Sequence, residues 1–292
     1  MSMNTSQLPM KPMKPAAADR LWPRWLTIAL ALPLLLYLTA LSALWFMQEK
    51  LLFAPQPLPA EHRFDLGADV HEGFIDVPGA RLNTLHLRLP KPDGVVFYVH
   101  GNLGNLQDWF VNVDFYRRLN MDLFMLDYRG YGKSSGHIQS EAQLHADARA
   151  AWDSVAPRYA GLRKVLTGRS LGTGLAAKLA VDVQPDMTIL VSPYSSMLAL
   201  ASDHYPWVPH AVLRYPLRSD LAVPRIKGAL LLIHGDRDTL IAPAHSQRLK
   251  LLSPQAQPQA QLILIPGAAH GDIQNFDAYY KALQQALLSI KR

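Results

Sequence analysis

Strands and helices alternate along most of this chain, and that alternation limits its fold more than any other feature. Apolar or β-branched runs stand at His71–Val77, Arg81–Leu89, Val95–His100, Asp122–Tyr128, Lys164–Ser170, Thr188–Tyr194, Ala229–Gly235 and Gln261–Pro266. Several are apolar almost throughout, as strands covered on both faces must be. Helix-like patterns fall between them, near 105–119, 141–156, 171–183, 243–253 and 274–290. This order predicts an α/β domain with a mostly parallel sheet sandwiched by helices. The first two runs flank Pro78-Gly79, which predicts a leading antiparallel hairpin. Residues 195–225, rich in proline and aromatics, read as a small cap.

A second feature lies upstream. From Trp25 to Gln48 no residue is charged, a length sufficient to cross the hydrocarbon core of a bilayer. Pro33 is tolerable inside such a helix, and Trp22, Trp25, Trp45 and Phe46 mark the two interfaces. A cleaved signal peptide and a buried core helix are the competing readings. The first would need an unusually long polar leader, and the second a helix hydrophobic all round at the chain's start. The expected organisation is a disordered cytoplasmic tail over 1–24, a membrane anchor over 25–48 and one domain over 49–292. Lys11, Lys14, Arg20 and Arg24 precede the span, whereas Glu49 and Lys50 cancel after it. The positive-inside rule then puts the N-terminus in the cytoplasm and the domain outside it, which in a bacterium is the periplasm.

Composition closes several other routes. There is no cysteine, which excludes disulfides, thiolate nucleophiles and thiolate metal sites. Half of the formal net charge of +6 sits in the first 24 residues, and no basic run interleaved with aromatics occurs in the body. A nucleic-acid partner is therefore not expected.

The sharpest chemical signal is Gly168-Arg169-Ser170-Leu171-Gly172, set between an apolar strand and a helix-like run. A serine on such a turn is held strained and exposed, and side chains two residues away on either side would collide. A serine nucleophile needs a base, and the base needs an orienting carboxylate. Asp238 and His270 follow the next apolar runs in the order this topology requires. Asp236 is the rival carboxylate. The oxyanion hole calls for two backbone donors. Leu171 N–H at the helix start is one. The other comes from the glycine-rich loop His100-Gly101-Asn102-Leu103-Gly104, with Asn102 preferred and Leu103 the alternative. His100 itself reads as a brace for that loop. Trp109, Phe110, Val111, Leu198, Tyr205 and Trp207 are candidates either for an acyl pocket or for ordinary packing.

In this order the motifs resemble those of the α/β-hydrolases: His100-Gly101-Asn102, Asp127-Tyr128-Arg129-Gly130-Tyr131-Gly132-Lys133-Ser134-Ser135-Gly136, Gly168-x-Ser170-x-Gly172, His234-Gly235-Asp236-Arg237-Asp238 and Pro266-Gly267-Ala268-Ala269-His270. More narrowly, the chain resembles single-pass membrane-anchored serine hydrolases, often labelled serine aminopeptidase-like. The resemblance implies an eight-stranded sheet with a short cap. It also implies Ser170 as nucleophile, His270 as base and Asp238 as its partner, with no metal or organic cofactor. The expected substrates are carboxylic esters or thioesters, such as acyl esters, lysophospholipids or acylated proteins, and the expected partner is the bilayer. A peptidase on the same fold and a non-catalytic membrane-tethered binding module are the alternatives. Ala269 stands where many relatives have glycine, which would narrow the pocket.

Overall fold

The computed structural model describes residues 24–253 and 260–290. The expected tail over 1–24 and Trp22 thus lie outside the described residues, apart from Arg24 as the first helical residue. Contacts divide the chain after Ala43 into two units.

The first unit is the greater part of helix α1, Arg24–Leu52. From Trp25 on, α1 is long and apolar enough to cross a membrane. Ile28, Leu30, Leu32 and Leu34–Leu36 are exposed. The helix continues past the expected boundary at 48. Its last turns belong to the second unit, where Gln48 and Glu49 find partners that hold them helical. Gln48 Nε2 donates to Val212 O, and Arg214 N donates to Gln48 Oε1. Tyr215 O–H donates to Glu49 Oε1.

The second unit is built on eight strands: β1 Val70–Val77, β2 Ala80–Leu87, β3 Gly94–Val99, β4 Met121–Leu126, β5 Arg163–Arg169, β6 Met187–Val191, β7 Ala229–Gly235 and β8 Gln261–Ile265. They lie in the order β8-β7-β6-β5-β3-β4-β2-β1. Only β2 runs against its neighbours β1 and β4. Helices α2 Glu141–Val155, α3 Gly172–Val183, α4 Met197–His204, α5 Ala244–Leu252 and α6 Asp277–Ser289 complete the frame. This is the predicted α/β-hydrolase fold.

Two cores follow from the period-two alternation of the strands. On β3, Val95, Phe97 and Val99 join the core under α2, α3 and α5. Val96 and Tyr98 join the opposite core with Tyr279 and Leu283 of α6. All five are buried. Removing one such large side chain, as in Phe97→Ala, costs about 3–5 kcal/mol.

One expected helix breaks. The pattern over 105–119 folds as two short helices, Leu106–Trp109 and Val113–Arg118. Asn112 between them is left-handed at φ +54°. The region 195–225 folds as α4 and the short turns His210–Val212, Ser219–Ala222 and Val223–Arg225.

Candidate active site

Three strands end at the site, each delivering one group. β5 ends at Arg169 and α3 begins at Gly172, so Ser170 sits on the turn between them with φ +50°. Left-handed backbone at a non-glycine residue costs about 1–3 kcal/mol and persists only where its surroundings enforce it. Here Ser170 N donates to Val191 O at 2.9 Å, and Thr173 N and Oγ1 both donate to Ser170 O. The flanking glycines are required by contact. A Cβ on Gly168 would stand 2.7 Å from that of Ala176, and one on Gly172 would stand 2.3 Å from Val99 O.

The loop after β8 brings His270 to this turn. Its Nε2 lies 2.9 Å from Ser170 Oγ. Its Nδ1 lies 2.7 Å from Oδ2 of Asp238, in the loop after β7. The other oxygen of Asp238 accepts from Leu240 N at 3.0 Å and Ile241 N at 2.8 Å. Burial alone would push the pKa of Asp238 up. Hydrogen bonds from His234, His270 and Ile241 outweigh burial and hold the carboxylate well below its ordinary range. His234 is fully buried and structural. Its Nε2–H faces both Ile241 O at 2.8 Å and Asp238 Oδ2 at 3.3 Å, and its Nδ1 lies 2.6 Å from Ser246 Oγ. The rival Asp236 is engaged elsewhere, as it accepts from Gly267 N at 2.7 Å.

The structure thus brings Ser170, His270 and Asp238 together. The N–H groups of Asn102 and Leu171, the two preferred oxyanion donors, have no acceptor among the described residues. His100 does brace its loop: Nδ1 donates to Gly101 O at 2.7 Å, while Tyr128 O–H donates to His100 O at 2.6 Å.

Arg169 went unnoticed in the sequence because it occupies the variable position of G-x-S-x-G. It is buried, and its Nη2 donates to His270 O at 2.8 Å and to Gln274 Oε1 at 3.1 Å. It also lies 6.0 Å from the Trp109 ring. A cavity of about 420 Å³ opens beside Ser170 and His270, lined by Trp109, Val111, Tyr98, Met125, Tyr279 and Leu283 among others. Of the apolar candidates, Trp109 and Val111 line it, while Phe110 is fully buried in the core. Leu198, Tyr205 and Trp207 do not line it; its wall is made instead by Tyr98 and Met125 of the inner strands β3 and β4 and by Tyr279, Tyr280 and Leu283 of α6. Ala269 is also absent from its wall, so its methyl group does not narrow the pocket. Among the described residues no metal-ligating group of three or more His, Asp or Glu occurs.

Comparison with known proteins gives consistent relatives. The family model described as serine aminopeptidase, S33, matches residues 90–219, which include Ser170. An uncharacterized protein of Mycobacterium tuberculosis is 31% identical over 246 residues, covering 80% of this chain and 84% of the relative. The human alpha/beta hydrolase domain-containing protein 17B is 28% identical over 214 residues, 71% of each chain. Among solved structures, an esterase of Pyrococcus furiosus superposes with a TM-score of 0.66 at 18% identity, covering 82% of this chain and 98% of the esterase. A monoglyceride lipase of Saccharomyces cerevisiae gives 0.62 at 14% identity, covering 80% and 99%. At such identities the likeness speaks for the fold.

Proposed function

Since the chain belongs to the α/β-hydrolase superfamily and is a hydrolase, we propose that it cleaves carboxylic ester or thioester bonds through a Ser170–His270–Asp238 triad. The observation that carries this reading is the continuous array from Ser170 Oγ through both ring nitrogens of His270 to Asp238.

The array does acyl transfer in two halves. His270 Nε2 takes the proton of Ser170 as Oγ attacks the carbonyl carbon. The oxyanion of the tetrahedral intermediate is held by the N–H groups of Asn102 and Leu171. His270 then gives its proton to the departing alcohol or thiol. Water enters, and the same proton movements release the acid. Asp238 fixes the Nδ1–H tautomer of His270 and stabilises its charged form.

The test is covalent labelling of the detergent-solubilised full chain with a fluorophosphonate. Labelling and turnover of p-nitrophenyl esters and acyl thioesters should both vanish in Ser170→Ala. No labelling of well-folded wild-type protein would remove the proposal. The family model's description favours a second reading, a serine peptidase built on the same array. Aryl amides of single amino acids, assayed beside the esters, separate the two by which is turned over faster.

The apolar helix α1 supports placement at a membrane, and the basic residues Lys11, Lys14, Arg20 and Arg24 before the span favour a cytoplasmic N-terminus with the hydrolase domain on the far side. Protease added to sealed spheroplasts should then digest the domain. Protection of the domain in that assay would reverse the orientation.

A further inference from the structure

Resting on the hydrolase reading above, we infer that the segment Leu52–Gln56, which emerges from the apolar helix, is a working part of the oxyanion hole: it locks the backbone of Asn102 in place.

The orientation of a backbone N–H is set by the peptide plane that carries it, and in a trans peptide the C=O on the same plane points the opposite way. Two planes therefore matter at Asn102. The plane joining Gly101 to Asn102 carries the Asn102 N–H, and its carbonyl is held by His100 Nδ1 at 2.7 Å. The plane joining Asn102 to Leu103 carries the Leu103 N–H, the alternative donor. Its carbonyl is held from outside the loop, because Asn102 O accepts from Ala54 N at 3.0 Å and from Tyr131 O–H at 2.7 Å. Ala54 N also donates to the Tyr131 oxygen at 3.1 Å, so the three groups form one closed cluster. The Asn102 side chain adds a third tie, with Nδ2 donating to Leu52 O at 3.2 Å.

Neighbouring bonds continue the seam. Ala54 and Pro55 pair in parallel with Leu103 and Gly104. Asn105 Nδ2 and Gly132 N both donate to Gln56 O, at 2.9 and 3.1 Å. The segment cannot slide, because Phe53 is buried in the core and meets Tyr215 edge-on at 5.3 Å.

A glycine-flanked loop has little rigidity of its own, and a hole that must rotate into shape during reaction loses the advantage of preorganised donors. Leu52–Gln56 supplies the rigidity. It follows the apolar helix without a linker, so the anchor and the hole share one continuous stretch of backbone. Ala54 and Tyr131 are accordingly positioning residues. Neither lines the cavity, and both act through Asn102.

The experiment uses the full chain in detergent. Ala54→Pro deletes the N–H that both acceptors share, Tyr131→Phe deletes the hydroxyl, and Ala54→Ser keeps the N–H. For a p-nitrophenyl ester, Ala54→Pro and Tyr131→Phe should each lower kcat at least about tenfold, since losing a whole oxyanion donor costs about 10²–10³. KM should stay within about threefold. Affinity for an alkyl boronic acid, which fills the hole as a tetrahedral anion, should fall by the same factor as kcat. Ala54→Ser should restore wild-type values. Unchanged kcat in folded Ala54→Pro or Tyr131→Phe protein would overturn the inference, as would an equal loss confined to KM. If Ala54→Pro does not fold, Tyr131→Phe decides alone. Failure of the hydrolase reading looks different: the wild type itself then neither turns over ester nor takes up fluorophosphonate.

Discussion

His270 Nδ1 lies 2.7 Å from one oxygen of Asp238, while two backbone amides occupy the other oxygen. The carboxylate is therefore both a partner for the histidine and the cap of its own loop. Asp238→Asn keeps the shape but presents an N–H where His270 needs an acceptor. It should lower kcat by about 10⁴ with KM little changed, read from ester hydrolysis. Because its hydrogen bonds hold Asp238 ionised far below neutrality, its own titration should leave no step in the kcat profile between pH 5 and 9.

Arg169 is the second support of His270, through the backbone carbonyl. Both bonds come from one nitrogen, Nη2, held at the end of a rigid planar fork, whereas a lysine ammonium sits on a shorter, flexible stem and loses more freedom in reaching the same two acceptors. Arg169→Met should cost about 10–100-fold in kcat while the protein stays folded, and Arg169→Lys should recover little of it. Full activity in Arg169→Met would mean that the loop holds His270 without help.

A buried ion pair accounts for Arg129 within the tyrosine- and glycine-rich motif at 127–136. Arg129 Nε and Nη2 donate to the two carboxylate oxygens of Asp147 on α2, at 2.6 and 2.8 Å, with both residues buried. Removing one partner strands the other charge, so Asp147→Ala should lower stability by about 3–5 kcal/mol. Urea unfolding followed by far-UV circular dichroism measures this. The double variant Arg129→Met, Asp147→Leu should regain most of the loss, because it leaves no unpaired charge.

These relationships show where a sequence is readable. Ser170 could be placed because strand, turn and helix are contiguous, and the turn tolerates so few residues that glycines betray it. Asp238 and His270 could be placed because chain order and strand ends leave few positions for a carboxylate and a base. By contrast, Leu52 and Asn102 are fifty residues apart, and a backbone carbonyl meeting an amide leaves no mark on composition. Asp147 lies a helix away from Arg129, and many acids are as near in sequence. The break at Asn112 was hidden for another reason: apolar periodicity continues across it, while one left-handed residue redirects the chain.

The far edge of the sheet carries a buried chain of polar groups that should set the acid limit of the fold. Arg88 Nε donates to His86 Nδ1 at 3.2 Å, and His86 Nε2 lies 2.6 Å from the oxygen of Tyr159, whose O–H donates to Asp122. With Nδ1 accepting, the imidazole is neutral. Burial pushes its pKa down from 6.5 to about 3, and repulsion from Arg88 adds to this. Between those values the unfolded chain binds a proton that the folded chain refuses. The associated stability is whole above pH 6.5, declines as pH falls through this window and levels off below about pH 3. At pH 5 the loss should be about 2 kcal/mol, at 1.4 kcal/mol per unit below 6.5. His86→Gln keeps a donor for Tyr159 and has nothing to titrate. Urea midpoints at pH 7.5 and pH 5.0 should therefore fall further for the wild type than for His86→Gln. Equal falls would show that the folded protein protonates His86 as readily as the unfolded chain does.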